Sequence, residues 1–275
     1  MRYTINLQGG DKAVLLIHGL TGTPFEMKPL AEHLHREGFS VKVPCLAGHG
    51  KSPDYLKATR WEDWYGTVHR HFMDLKKNHE FVAVSGLCMG TLLGLYLAHE
   101  RRDEVSSLSL LSTTLFYDGW SLPWYKFLLP LVYLTPLRRA YTYQEREPYG
   151  IKNEALRKRY AFHLKNEAVG YASIPSECMH ELYRLIQAVK PLMASVSTPT
   201  LLIHAIEDDL ASVKNAEYVR ANLGAATIRT VYLEDTYHML TIDNRKAEVC
   251  KETARFFKEI ALCRQPQKNY GAVAS

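Results

Sequence analysis

The chain has 275 residues, 47% of them hydrophobic and 23% charged, with a formal net charge of +5. That length suits one large domain that buries a substantial core, and the balance is ordinary for a soluble globular protein. The mild positive charge is not gathered into a basic stripe, so nucleic acid is excluded as an expected partner.

In chain order, AVLLIHG (13–19) is a short continuous apolar run, the signature of a strand buried on both faces. Pro24 to Glu37 reads as a helix, with proline in its first turn and Gly38 as the stop. FSVKVP is the next strand. Thr59 to Glu62, TRWE, matches a capping box and opens a helix expected to reach about Asn78. FVAVSG is then a strand, CMGTLLGLYLAHE a helix and VSSLSLLS another strand. Such alternation implies an α/β fold, with a mostly parallel sheet covered by helices on both faces. The alternation breaks after Ser112. From Leu115 to Val196 the sequence turns aromatic, proline-containing and helical in pattern, with no strong strand. Strands resume with TPTLLIHA, followed by a helix near Val213 to Leu223, Gly224 as its stop, the strand TIRTVYLE and a last helix from about Asp243 to Ile260. No polar linker flanks the break. The expectation is a core formed by 1–114 and 196–275, with a helical cap inserted over 115–195.

The five cysteines, Cys45, Cys88, Cys178, Cys250 and Cys263, are scattered and contain no C-x-x-C pair. That argues against a disulfide framework or a zinc site and for a reducing compartment. The N-terminus runs straight into strand-like sequence with no apolar signal region. The most hydrophobic stretch, SLPWYKFLLPLVYLTPL, is interrupted by prolines and Lys126, which disfavours a membrane span. A soluble, cytoplasmic protein is expected. His69 and His71 sit two apart on a helix and face different directions, so no metal is expected, and no cofactor.

The stretch VSGLCMGTLLG, Val84 to Gly94, carries the chemistry. A strand runs into Gly-x-Cys-x-Gly and a helix follows at once, the context of a nucleophile elbow. The turn holds its central residue in a strained conformation at a helix N-terminus, where the macrodipole favours an anion, and Gly86 and Gly90 are needed where a side chain would collide with neighbouring backbone. A cysteine in that place is a candidate thiolate nucleophile. The plainer reading is a small buried thiol in a tight turn.

With this elbow the chain resembles the α/β-hydrolase superfamily along nearly its whole length, most of all the capped carboxylesterases and monoglyceride-lipase-like enzymes. LIHGLTGTP is similar to that family's HG loop, and PCLAGHGKSP to its P-x-L-x-G-H-G-x-S segment. HAIEDDLAS resembles the loop that carries the acid, with Ala205 in place of glycine. TYHMLTID resembles the G-H loop, with Tyr237 in place of glycine. The departure at the elbow is Cys88 where serine is usual. It is read as native, as in dienelactone hydrolases and polyhydroxyalkanoate synthases, with a Ser→Cys replacement as the alternative.

The resemblance implies a triad of Cys88 as nucleophile, His238 as base and Asp208 as the acid that orients the imidazole, with the neighbouring Asp209 as a second candidate for the acid. The backbone N–H groups of Leu20 and Met89 would form the oxyanion hole. His18 is expected to hold its loop by hydrogen bonds. Phe116, Trp120, Trp124 and Phe127 are expected to line the substrate pocket under the cap. The expected function is an acyl hydrolase, a carboxylesterase or thioesterase, working through a covalent acyl-enzyme on a small acyl ester or thioester. A thiol nucleophile tilts the reading towards thioesters, and the resemblance tilts it towards carboxyl esters. A thiol-dependent acyltransferase and an inactive ligand-binding protein on the same scaffold remain alternatives. Interfacial contact of the cap with a membrane stays open.

Overall fold

The computed structural model describes residues 4–122, 142–165 and 170–264. Its described residues build a seven-stranded sheet in the order β1-β3-β2-β4-β5-β8-β9. The strands are β1 (Ile5–Leu7), β2 (Lys12–Ile17), β3 (Ser40–Val43), β4 (Phe81–Leu87), β5 (Ser107–Leu111), β8 (Thr200–Ala205) and β9 (Ile228–Leu233). Within this sheet only the β1–β3 pairing is antiparallel. The pairs β2–β3, β2–β4, β4–β5, β5–β8 and β8–β9 are all parallel.

Alternate residues of each central strand feed two cores, which is why these strands read as unbroken apolar runs. From β2, Ala13, Leu15 and Ile17 join Trp64, Phe72 and Leu92 beneath α3 (Trp61–Lys76), α4 (Met89–Glu100) and α6 (Ser176–Val189). Val14 and Leu16 face the other way, onto Leu30, Leu34 and Phe257 of α1 (Lys28–Arg36) and α8 (Lys246–Arg264). Each fully buried leucine or phenylalanine adds roughly 1.5–3 kcal/mol, so the sheet is clamped from both sides.

Local chemistry sets the element ends. Thr23 accepts the Phe25 N–H at 3.4 Å, a 3-10 turn covers Pro24–Met27, and α1 then runs to Arg36 before Gly38 turns at φ 95°. The capping box is displaced by one residue from the expected TRWE. Asp63 accepts the Arg60 N–H at 2.9 Å, because the Thr59 hydroxyl is taken by Leu56 O at 2.7 Å and by Trp64 Nε1 at 2.9 Å. Those contacts close α2 (Pro53–Lys57), a short helix the sequence reading did not foresee.

Between β5 and β8 the described residues include α5 (Glu154–Lys165), α6 and, against expectation, two short strands, β6 (Thr142–Gln144) and β7 (Ser173–Pro175). They pair antiparallel apart from the main sheet. Three residues each, with mixed polarity, are too few to show a period of two. The segment is tied to loops of the sheet through the Gly22–Gly170 bridge, and Lys51 N–H donates to Tyr171 Oη at 3.1 Å. After β8 come α7 (Lys214–Asn222), β9 and α8. Among the described residues no helix is long and apolar enough to cross a membrane.

Candidate active site

In an open parallel sheet the C-terminal strand ends, at the point where strand order reverses, form the natural crevice. Here the chain steps from β2 outward to β3 and then back across to β4, and the loops after β2, β4, β5, β8 and β9 converge at that edge.

Cys88 joins β4 to α4 with φ 55° and ψ −117°. A non-glycine residue held there costs on the order of 1–3 kcal/mol. Close backbone approach imposes it. A Cβ at Gly86 would lie 2.2 Å from Gly90 C, and one at Gly90 would lie 2.3 Å from Ile17 O. Both glycines are therefore sterically required. The Cys88 N–H is used on Leu111 O at 3.0 Å, and the half-buried sulfur stands at the N-terminus of α4.

The His238 imidazole is buried and its Nδ1 lies 3.0 and 2.9 Å from Asp208 Oδ1 and Oδ2. Asp208 is fixed in turn by the N–H groups of Leu210 and Ala211, at 2.9 and 2.8 Å. Burial would raise this carboxyl's pKa, but His238 outweighs it and holds the group below its usual range. Asp209 does something else. It accepts the His238 backbone N–H at 3.3 Å and the Gly150 N–H at 3.2 Å, and burial pushes its pKa up.

His238 Nε2, on the other edge of the ring, is buried. It lies within the electrostatic reach of the Cys88 thiol. Burial alone would depress the imidazole pKa, whereas Asp208 and then Cys88 raise it, leaving it well above the usual histidine value. A base oriented on one side by a carboxylate and facing a sulfur on the other has the geometry for proton transfer.

The loop after β2 supplies backbone donors. His18 donates from Nδ1 to Gly19 O at 2.8 Å and accepts the Leu46 N–H on Nε2 at 3.2 Å. Burial, with His49 beside it, keeps His18 neutral with a pKa of about 3. Gly19 O belongs to the same peptide unit as the Leu20 N–H, so His18 fixes that peptide plane. His49 lies beside the next one, its Nε2 2.7 Å from Leu20 O and its Nδ1 3.0 Å from Ala47 O.

These groups border a cavity of about 330 Å³. Leu20, Cys88 and His238 line it with Tyr117, Leu122, Leu182 and Ile186, and Glu26, Glu145 and Asp209 add carboxyl groups. Of the aromatic residues expected there, Phe116 and Trp120 do not reach it. Phe116 packs on Tyr218 with ring centroids 5.3 Å apart, under the Lys190 ammonium. Trp120 is 60% exposed, stacks edge-on against Tyr237 and donates to Glu207 O at 3.2 Å. Tyr117, Ser121 and Leu122 take the inward places instead. Trp124 and Phe127 lie outside the described residues.

Residues 9–245 match the family model described as Serine aminopeptidase, S33. The chain belongs to this S33 family. It is similar to the thermostable monoacylglycerol lipase of Bacillus sp. (strain H-257), 25% identical over 92% of this chain and 93% of that one. It is also similar to a carboxylesterase of Bacillus subtilis (strain 168), 23% identical over 92% and 95% of the two chains. A solved structure from LipS and LipT, two metagenome-derived lipolytic enzymes, superposes with a TM-score of 0.81 at 23% identity, covering 94% of this chain and 98% of that one. The fold is thus the α/β-hydrolase fold, a mostly parallel sheet flanked by helices. The S33 family is described by its serine, whereas this member carries cysteine at position 88.

Several site residues of this S33 member carried no motif in the sequence. Asp243, read as the start of the last helix, instead accepts the Thr236 hydroxyl and the N–H groups of Tyr237, Lys152 and Asn153, and so shapes the loop that presents His238. Ser112 donates to His238 O at 2.8 Å. Thr114 Oγ1 lies 3.4 Å from Cys88 Sγ. Glu26 accepts the Gly19 N–H at 3.1 Å, and burial with Glu145 nearby raises its pKa to about 7. Single polar residues of this kind show no periodicity, and only tertiary contact brings them together.

Proposed function

We propose that the chain is an ester hydrolase that works through Cys88, His238 and Asp208. The observation that carries this reading is the juxtaposition of a sulfur at a strained strand–helix turn with an imidazole held on its other side by a buried carboxylate. The roles follow from that geometry. With the thiol's proton held on His238 Nε2 as an imidazolium–thiolate pair, the sulfur attacks the acyl carbon. The carbonyl oxygen takes the negative charge towards the Leu20 and Met89 N–H groups. Removing one such donor typically costs about 3–4 kcal/mol of transition-state stabilisation. As the tetrahedral adduct collapses, His238 returns the proton to the leaving alcohol, and water then hydrolyses the thioester by the same steps in reverse order.

Asp208 rather than Asp209 is the acid in this reading, since Asp208 meets the ring and Asp209 meets the backbone. Residues 115–195 act as a cap over the pocket, with Tyr117, Leu182 and Ile186 supplying an apolar wall for the acyl chain. A monoacylglycerol lipase and a carboxylesterase among the relatives favour carboxyl esters. The sulfur favours a second reading, thioester hydrolysis, because exchange between two thioesters is nearly even in energy. A reducing, cytoplasmic setting fits the five unpaired thiols.

The test is intact-protein mass spectrometry after brief exposure to p-nitrophenyl butyrate, a monoacylglycerol and a short acyl-coenzyme A. An acyl mass mapped to Cys88, lost in Cys88→Ala together with turnover, is the expected result. Full turnover after complete alkylation of Cys88 would remove the reading.

A further inference from the structure

We infer that Thr114 is a second hydrogen-bond donor to the Cys88 sulfur, one that stabilises its thiolate alongside His238. This rests on the reading of Cys88 as nucleophile, and it adds a group that the strand–turn–helix motif does not contain. Thr114 is fully buried, and its Oγ1 lies 3.4 Å from Cys88 Sγ and 3.1 Å from Ser112 O.

Proton accounting defines what this hydroxyl does. A threonine hydroxyl has one proton and two lone pairs. Ser112 O is a carbonyl and only accepts, so while the sulfur carries a proton the Thr114 proton points at Ser112 O. As long as the sulfur keeps its proton, the thiol S–H has a Thr114 lone pair to donate to, either atom of this contact being able to donate. When the S–H bond breaks and the proton moves to Nε2, the sulfur becomes an acceptor only. The Thr114 O–H rotates from Ser112 O to Sγ and gives the thiolate a second donor. A hydrogen bond to an ionised partner is roughly twice as strong as a neutral one, so the exchange favours the thiolate.

The position is held rigidly enough for this. Ser112 N–H is anchored to Ile203 O at 3.0 Å, and its hydroxyl to His238 O. On the other side, Asn215 Oδ1 accepts the N–H groups of Leu115 and Phe116 at 2.8 and 2.7 Å. The same short segment therefore touches the sulfur and the backbone of the base. The ionisable groups sharing the cavity with the sulfur are His238 in the loop after β9, Asp209 after β8 with Asp208 behind the imidazole, Glu26 in the loop after β2, and Tyr117, Tyr143, Glu145, Arg146, Glu147, Tyr149, Tyr160 and Tyr183 from the segment between β5 and β8.

The experiment measures the pH dependence of iodoacetamide alkylation at Cys88 in the full chain, followed on the Cys88 peptide so that Cys45 and Cys263 do not interfere. Thr114→Val keeps the shape and removes the hydroxyl. Alkylation at pH 7 is expected to fall about tenfold, with the inflection of the rate profile moved to higher pH. Thr114→Ser, which keeps the hydroxyl, is expected to restore the parent profile. A Thr114→Val profile equal to the parent overturns the proposal. So does Thr114→Ser as slow as Thr114→Val, which assigns the effect to packing of the methyl group. If Thr114→Val does not fold, Thr114→Ala is compared with Thr114→Ser on the same two criteria. The readout needs no turnover: a dispensable Cys88 in the acyl-enzyme experiment refutes the catalytic reading, and an unmoved alkylation profile refutes only Thr114.

Discussion

Two adjacent aspartates, Asp208 and Asp209, face opposite duties at one histidine. Asp208 meets the imidazole, and Asp209 meets the peptide N–H groups that place it. Asp208→Asn is expected to lower kcat by about 10³–10⁴ with little loss of stability, because the neutral amide no longer stabilises the imidazolium or selects its tautomer. Asp209→Asn is expected to lower thermal stability, by about 1–3 kcal/mol, since its NH2 group would turn a donor towards a donor. Its effect on kcat should be the smaller of the two. Side-by-side melting curves and steady-state kinetics separate these outcomes, and equal kinetic loss in both variants would refute the division of labour.

Glu26 gives a pH signature of its own. Its pKa rises from 4.5 to about 7, chiefly by burial, so the native state holds this proton more tightly than the unfolded chain does. The sign follows from linkage. The contribution to stability is complete below pH 4.5 and is lost as pH climbs through 7. Glu26→Gln removes the dependence, so the variant should gain on the parent by up to about 3 kcal/mol between pH 5 and pH 8. Urea unfolding at both values measures the difference. An unchanged difference between the two pH values would sink the assignment of a buried, protonated acid.

Among the elements, the strands and long helices were legible because each repeats a signal over many residues. β2, β4 and β8 are continuous apolar runs, and α1 begins at proline and ends before Gly38. The elbow was equally legible, since two glycines flanking one nucleophile type mark a backbone collision directly. The three-residue β6 and β7, the five-residue α2 and the one-residue shift of the α3 cap were not legible. There the outcome turned on which acceptor took which hydroxyl, and Thr59 was already used by Leu56 and Trp64. Glycine chemistry gives a paired prediction. Gly90→Ala would place a methyl 2.3 Å from Ile17 O and should cost about 3 kcal/mol or more, with activity lost. Gly66→Ala lies mid-α3 with nothing within 4 Å of the new carbon, and should stabilise by about 1 kcal/mol with activity intact. Thermal melts of both variants decide whether steric approach, rather than glycine as such, governs the element.

At the scale of the whole molecule the net charge is positive while the cavity beside Cys88 and His238 is acidic, and these act on different molecules. The surface charge bears on encounter, whereas the pocket wall bears on which acyl group is accommodated. Glu26, Glu145, Glu147 and Asp209 line the cavity, with Arg146 as the opposing charge. Burial raises the Glu145 pKa. A second carboxylate carried into the cavity by the substrate would meet like charges at low dielectric, an arrangement that typically costs several kcal/mol. Neutral acyl chains are therefore expected to be preferred over acyl chains ending in a carboxylate. The p-nitrophenyl ester of butyrate should exceed the corresponding succinate half-ester in kcat/KM by about 10-fold or more at pH 8. Lowering the pH should narrow the ratio as the pocket acids gain protons, and Glu145→Gln should narrow it at pH 8 without acid. A ratio near one at pH 8, or one that Glu145→Gln leaves unchanged, would show that the wall does not govern the choice of acyl group and that selection lies in the apolar face formed by Leu182 and Ile186.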